Sequence, residues 1–155
     1  MAKTNVIRII ETAGVNYTTQ DYEVTEDDLS GETVAKKIGV DPESVFKTLV
    51  TIGDKNTHFV FCIPVTTELN LKKAAAASGN KKIEMLKMKD LLPLTGYIRG
   101  GCSPIGMKKK FPTYIDETAQ LFDNIHISAG IRGTQVCLSP DSLISLIDGF
   151  YADLI

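Results

Sequence analysis

A lysine stands inside an apolar run, Val45-Phe46-Lys47-Thr48-Leu49-Val50. In a strand, alternate side chains share a face. Lys47 therefore points where Val45 and Leu49 point, and Phe46, Thr48 and Val50 point the other way. Such a lysine is either an edge-strand charge or a point charge projecting into a cleft toward a phosphate or a carbonyl. Residue types alone favour the edge charge. A second candidate is the loop Gly100-Gly101-Cys102-Ser103-Pro104-Ile105-Gly106. Its low side-chain bulk lets backbone N–H groups approach a ligand and stabilise a developing oxyanion, although a plain structural turn has the same composition. It is neither a Walker loop nor a Rossmann fingerprint. Lys108, Lys109 and Lys110 follow it, either as phosphate contacts or as solvated charge. A third candidate is Ser128-Ala129-Gly130-Ile131-Arg132-Gly133, where Arg132 either grips a phosphate with its guanidinium fork or caps a sheet edge.

Protein nucleophiles are poorly represented. The general bases on offer are His58 and His126, both inside strand-like runs and read as packing or surface residues. No serine or cysteine sits in a nucleophile elbow, and the spacing of Cys102 from either histidine supports no pair. Cys62, Cys102 and Cys137 are odd in number, far apart and without a CxxC, which argues against a disulfide framework or a structural zinc. Cys62 and Cys137 read as small buried hydrophobes. No His, Asp or Glu cluster has metal-ligand spacing.

These residues need elements to position them. Residues 4–14 read as an amphipathic helix stopped by Gly14, and Tyr17–Val24 as a strand. A short helix follows at Glu32–Ile38, ended by Gly39, and Asp41-Pro42-Glu43-Ser44 forms a capped turn. Val45–Ile52 and His58–Val65 form an antiparallel hairpin through Gly53-Asp54-Lys55-Asn56. Asn70–Ser78 is a helix, Ile83–Met85 a short strand, and Lys87–Leu92 a short helix halted by Pro93. Thr113–Asp116, Ile125–Ser128 and Gln135–Leu138 are strands. Ser139-Pro140-Asp141 opens a last helix. The spacing lacks the regular alternation of a parallel βαβ fold. The expectation is an α/β (α+β) domain, 1–155, with a curved, mostly antiparallel, barrel-like mixed sheet and helices outside.

The chain has 155 residues, 43% apolar and 23% charged, which suits one domain with a real core. No window approaches 18 apolar residues and the N-terminus lacks a signal-like run, so the expectation is a cytoplasmic protein without a membrane segment. The net charge of -2 hides a division: residues 1–43 carry -5, residues 44–110 carry +8, and residues 111–155 carry -5. A basic centre between acidic ends fits a polyanion meeting one face, or simply solvated lysines.

Taken together, Val45-Phe46-Lys47-Thr48-Leu49, the block Gly100 to Lys109 and Ser128 to Gly133 resemble the YbaK/EbsC family of Cys-tRNA(Pro) deacylases, a family similar to the editing domain of bacterial prolyl-tRNA synthetases. The motifs occur in the family's order over nearly the whole chain. The Gly-Gly-x-Ser-Pro-x-Gly block followed by lysines is the specific part. The resemblance implies a YbaK-like editing domain that hydrolyses cysteine from proline tRNA with no cofactor. It places the family's lysine on Lys47 and its GxxxP loop on Gly100, Gly101, Cys102, Ser103 and Pro104. Tyr22, Thr48, Ile105, Gly106, Ser128, Gly130, Arg132 and Gln135 fall around the substrate, and Lys72, Lys73, Lys108, Lys109 and Lys110 on the tRNA. Ile131 stands where members often carry lysine, and Gln135 where some carry aspartate, which bears on amino-acid preference. The resemblance also implies that the substrate's own thiol attacks its ester, and that prolyl-tRNA synthetase is a partner. A deacylase for another small amino acid such as alanine, or a non-catalytic tRNA- or synthetase-binding module, are the alternatives. Oligomeric state is not legible.

Overall fold

The computed structural model describes residues 3–155. The elements are five α-helices, α1 (Asn5–Thr12), α2 (Gly31–Ile38), α3 (Leu71–Ser78), α4 (Met88–Thr95) and α5 (Pro140–Ile147), and eight strands. The strands are β1 (Thr18–Asp21), β2 (Phe46–Gly53), β3 (His58–Pro64), β4 (Ile83–Met85), β5 (Thr113–Asp116), β6 (Ile125–Ser128), β7 (Thr134–Leu138) and β8 (Phe150–Ala152). The caps read at Asp41 and Ser139 are made, Asp41 accepting from the Glu43 N–H, and three further helices carry caps that were not read. Thr4 accepts from the Ile7 N–H, Ser30 from Thr33, Asn70 from Lys72 and Lys73, and Ser139 from Ser142. Gly39, Gly79 and Gly96 close α2, α3 and α4 in the left-handed region.

Two sheets result. One is three-stranded, in the order β1-β7-β6, and antiparallel throughout. The other is five-stranded, β4-β2-β3-β5-β8, antiparallel on the β2 side and parallel from β3 to β8. They meet at a single parallel bridge between Val45 and His126. Most pairings are antiparallel, as the sequence suggested, and the curvature is shared by two sheets rather than closed in one. The main core lies beneath the three-stranded sheet, where Ile125, Ile127, Val136 and Leu138 pack with Val6, Ile7 and Ile10 of α1 and Leu143 of α5. A smaller core packs Ala74 and Ala75 of α3 on Phe61, Ile63 and Ile83.

The register of β2 shapes the rest. The Val65 N–H bonds the Val45 carbonyl at 2.9 Å, and the Gly53 N–H bonds the Thr57 carbonyl at 2.7 Å. Antiparallel pairs alternate, so the odd-numbered residues between direct their backbone groups to β3. Phe46, Thr48 and Val50 therefore turn theirs to the opposite edge, where the Val50 carbonyl accepts from the Leu86 N–H at 3.1 Å. Strand β4 covers that edge only from Thr51 to Gly53. Between Thr51 and the Val45 bridge the edge has no strand beside it, and a cleft opens there.

Two boundaries differ most from the sequence reading, and two elements were missed. The strand read as Tyr17–Val24 is only Thr18–Asp21, because its partner β7 ends at Thr134, with one further bond from the Tyr22 N–H to the Gly133 carbonyl. Pro93 does not halt α4, which runs on to Thr95. Proline removes one amide donor. Here the next turn is held by the Thr95 hydroxyl donating to the Leu91 carbonyl at 2.8 Å and by the Gly96 N–H on the Leu92 carbonyl. Strand β8 and a short 3-10 turn at Glu117–Leu121 were not read at all.

Candidate functional site

The cleft at the free edge of β2 has a volume of about 510 Å3. One wall is β2 itself, from Val45 to Val50, with Lys47 half-buried on it. A second wall is the start of α2, with Leu29, Ser30 and Glu32. A third is Met85, Leu86, Met88 and Leu91 of the β4–α4 segment. The floor is formed by Arg99, Gly100 and Cys102 of the loop with Ser128 and Gln135 of the three-stranded sheet.

Gly31 sets the position of the α2 wall. A Cβ at Gly31 would lie 2.1 Å from Val65 Cγ1, so the helix start can approach β3 this closely only as glycine. The loop Gly100–Gly106 is clamped from two sides. The Tyr97 hydroxyl donates to the Ile105 carbonyl at 2.5 Å, and the Arg132 Nε–H donates to the Arg99 carbonyl at 2.8 Å. Gly100 has φ +84, and a Cβ at Gly101 would come within 3.2 Å of the Arg132 backbone nitrogen, so the loop lies directly against the β6–β7 turn.

The loop's donors are not equivalent. The Gly101 N–H is committed to the Ile98 carbonyl at 2.9 Å, and the Ile105 N–H to the Ser103 hydroxyl at 3.3 Å. The Gly100, Cys102 and Ser103 N–H groups make no such bond among the described residues, and of these residues Gly100 and Cys102 line the cleft. Burial pushes the Cys102 thiol up to about 12, which keeps it protonated at neutral pH. Cys62, fully buried and 3.7 Å from the Thr48 hydroxyl, is pushed up to about 12 by the same cause. The charged side chains on the cleft lining are Lys47, Arg99 and Glu32, and no histidine lines it.

The floor has a further property. Gln20 pairs across β1–β7 with Gln135, and Gln135 pairs across β7–β6 with Ser128. His126 lies two residues from Ser128 and so shares its face. The buried side-chain polar atoms without a hydrogen-bond partner among the described residues are Gln20 Oε1, Gln135 Oε1 and His126 Nδ1, all on this one face. Gln135 is 6% exposed and His126 8% exposed. Buried polar atoms are nearly always satisfied, so a polar face with several open acceptors beside a cleft is suited to a donor-bearing ligand.

The structure gathers Lys47, Thr48, Gly100, Cys102, Ser128 and Gln135 on one cleft. Gly101, Ser103, Pro104 and Ile105 are buried behind the loop rather than on its cleft surface. Tyr22, Gly106, Gly130 and Arg132 lie outside the lining, and the Arg132 Nε is engaged by the loop. Lys72, Lys73, Lys108, Lys109 and Lys110 are also outside it. Sequence reasoning missed Leu29, Glu32, Arg99 and the Met85–Leu91 wall. Arg99 directly precedes the glycine loop, and that adjacency was the available signal.

A family model for the aminoacyl-tRNA editing domain matches residues 25–146. The chain belongs to this family. It is 52% identical over 152 residues, covering 98% of this chain and 93% of the relative, to a protein of Enterococcus faecalis (strain ATCC 700802 / V583) named "Putative Cys-tRNA(Pro)/Cys-tRNA(Cys) deacylase EbsC". It is 28% identical over 102 residues to a proline–tRNA ligase of Shouchella clausii (strain KSM-K16), covering 66% of this chain but 18% of that longer enzyme. Among solved structures, "Crystal structure of a putative trans-editing enzyme for prolyl tRNA synthetase" matches with a TM-score of 0.81 at 22% identity, over 99% of this chain and 98% of that one. That last likeness shows the fold alone, a mixed α/β domain. Among the described residues, no helix is long and apolar enough to cross a membrane.

Proposed function

We propose that this chain is a trans-editing aminoacyl-tRNA deacylase that removes cysteine from mischarged Cys-tRNA(Pro). The observation that carries the reading is a cleft with a cation and open backbone donors but no activated nucleophile. Lys47 lines the same cleft as Gly100 and Cys102, the one thiol on the lining is held protonated, and no histidine lines the cleft to act as base. Such a site suits a substrate that brings its own nucleophile. Family membership and the name of the Enterococcus relative point the same way.

The chemistry follows. The cysteinyl sulfur attacks its own ester carbonyl, forming a C–S bond and breaking the bond to the 3′ oxygen of the terminal adenosine. The thiol proton ends on that oxygen, tRNA leaves with a free 3′ hydroxyl, and the thiolactone is later opened by water to cysteine. Holding thiol and carbonyl in register makes the step intramolecular, where effective molarity can be very large. The Cys102 N–H, with Gly100 beside it, holds the developing oxyanion; one donor of this kind contributes roughly 3 kcal/mol. Lys47 neutralises the terminal phosphate as a point charge or orients the 3′-terminal adenosine. Ser128 and Gln135 hold the aminoacyl group, and the 155 residues act as one editing domain in the cytoplasm. Prolyl-tRNA synthetase delivers the tRNA, since a free domain of this size has little surface for tRNA identity.

The test is release of cysteine from Cys-tRNA(Pro), side by side with Ala-tRNA(Pro). Turnover of the first and not the second is expected, because alanine carries no thiol. Lys47→Ala should lower kcat/KM by about tenfold or more, the scale of one lost charge contact. Cys102→Ala should stay within about threefold of wild type, less than 1 kcal/mol. A loss of several hundredfold in Cys102→Ala would instead mean a protein nucleophile. Equal turnover of the alanine substrate would sink the substrate-thiol mechanism.

A further inference from the structure

Resting on the deacylase reading, we propose that the exposed apolar face of α4, with Met85 beside it, is the platform on which the unpaired 3′ nucleotides of the tRNA lie. Met88, Leu91 and Leu92 stand at i, i+3 and i+4, one face of the helix. Met88 is 59% exposed, Leu92 51% and Met85 45%. Single exposed apolar residues are ordinary, but these adjoin one another and run into the cleft, whose wall includes Met85, Leu86, Met88 and Leu91. A second depression of about 330 Å3, lined by His58, Leu86, Asp90, Pro93 and Leu94, lies on the opposite side of α4 and is not part of this face. The strip of Met85, Met88, Leu91 and Leu92 therefore leads out of the cleft along α4.

Its charge identifies the occupant. Lysines alternate with the apolar residues in Met85-Leu86-Lys87-Met88-Lys89, and Lys81 and Lys82 stand just before. Lys82 is paired with Glu84 at 2.8 Å, while Lys81, Lys87 and Lys89 make no ion pair among the described residues. Arg99 and Lys47 continue the positive line inside the cleft. The cores of protein–protein interfaces are depleted in lysine. Unpaired lysines beside an apolar strip suit a single strand instead, whose bases lie against the strip while the cations track its phosphates. Methionine adapts to any base face. An eight-residue helix is ~12 Å long. At ~3.4 Å per stacked nucleotide of one strand, that spans about three nucleotides.

The experiment compares two substrates that share the reacting group. Cys-tRNA(Pro) reaches the platform and 3′-O-cysteinyl-adenosine does not. Leu92→Glu and Lys89→Glu, both at exposed positions, should raise KM for Cys-tRNA(Pro) by about tenfold each while kcat/KM for cysteinyl-adenosine changes less than twofold. Anisotropy of a labelled single-stranded RNA ending in CCA reads the platform without turnover, and the same variants should weaken that binding. Equal losses on both substrates, or unchanged KM for the tRNA with unchanged RNA binding, would overturn the proposal. Unchanged tRNA kinetics together with lost binding to prolyl-tRNA synthetase would assign this face to a protein and also overturn it. A wild type that turns over neither substrate yet binds the RNA through Leu92 and Lys89 would leave the platform standing and sink the deacylase reading.

Discussion

At the scale of single residues, the polar face of the three-stranded sheet is where the molecule carries its least comfortable groups. His126 is buried with Nδ1 lacking a partner among the described residues, and that burial lowers its pKa below the ordinary 6.5. A depressed pKa means that the unfolded chain takes up the proton first. The stability contributed by neutral His126 is therefore complete above about pH 6.5 and is lost as pH falls through the lower folded value. The melting temperature of the wild type should drop on going from about pH 7 to 5, and His126→Gln should flatten that part of the profile. Identical profiles for the two proteins would show that His126 is not the titrating group. The carboxylates held low, such as Asp28 beside Thr33 and Ser30, act only further down the scale. None of this could be read from the sequence. His126 sits in an alternating run where packing and function look alike, and the open acceptors exist only once β1, β7 and β6 are in register. Lys47 was legible as a candidate, but its neighbours were not, because Cys102 and Gln135 come from distant segments.

At the scale of elements, most of the fold was legible because caps and turns are local chemistry. Ser139 bonds the backbone three residues on, Gly39 and Gly79 stop α2 and α3, and the β2–β3 hairpin follows from its alternation and its Gly53–Asn56 turn. What escaped was non-local. Strand β8 is three residues long and exists by pairing with β5. The exception is α4, whose last turn beyond Pro93 is closed locally by Thr95 and Gly96. The approach of α2 to β3 was equally invisible, yet it forms a cleft wall. It gives a direct prediction. Gly31→Ala forces a Cβ into Val65, and overpacking of this kind costs about 1–3 kcal/mol. Urea unfolding should show that loss, and Val65→Ala in the same chain should recover part of it, a coupling that independent sites would not show. A Gly31→Ala protein within about 0.5 kcal/mol of wild type would mean that α2 moves freely on β3. Deacylation by that variant should fall with any shift of Leu29 and Ser30 off the cleft.

At the scale of the whole molecule, the charge division of the sequence becomes a question of which lysines are free to meet a phosphate. Residues 44–110 carry +8 between two segments of -5, but folding occupies part of that charge. Lys73 is held by Asp153 at 3.0 Å and by the Ile155 carbonyl, and Lys110 is held by Asp148. Lys108 reaches the Pro93 carbonyl at 3.5 Å. Lys72 and Lys109 make no ion pair among the described residues. A cation already neutralised within the protein releases fewer counterions when it meets RNA, so it contributes less to the salt dependence of binding. Each true phosphate contact adds roughly 0.7–0.9 to the slope of log K against log salt. The double variant Lys72→Gln, Lys109→Gln should therefore flatten the slope for tRNA binding by about 1.4–1.8 between roughly 50 and 200 mM salt. The double variant Lys73→Gln, Lys110→Gln should flatten it by less, and should lower the melting temperature only slightly, because exposed ion pairs are worth about 0–1 kcal/mol. If the two doubles flatten the slope equally, the intramolecular pairs give way on binding and the basic segment acts as one field. If neither does, Lys72, Lys73, Lys109 and Lys110 are solvated surface and the tRNA is met by other cations of the segment, such as those beside α4.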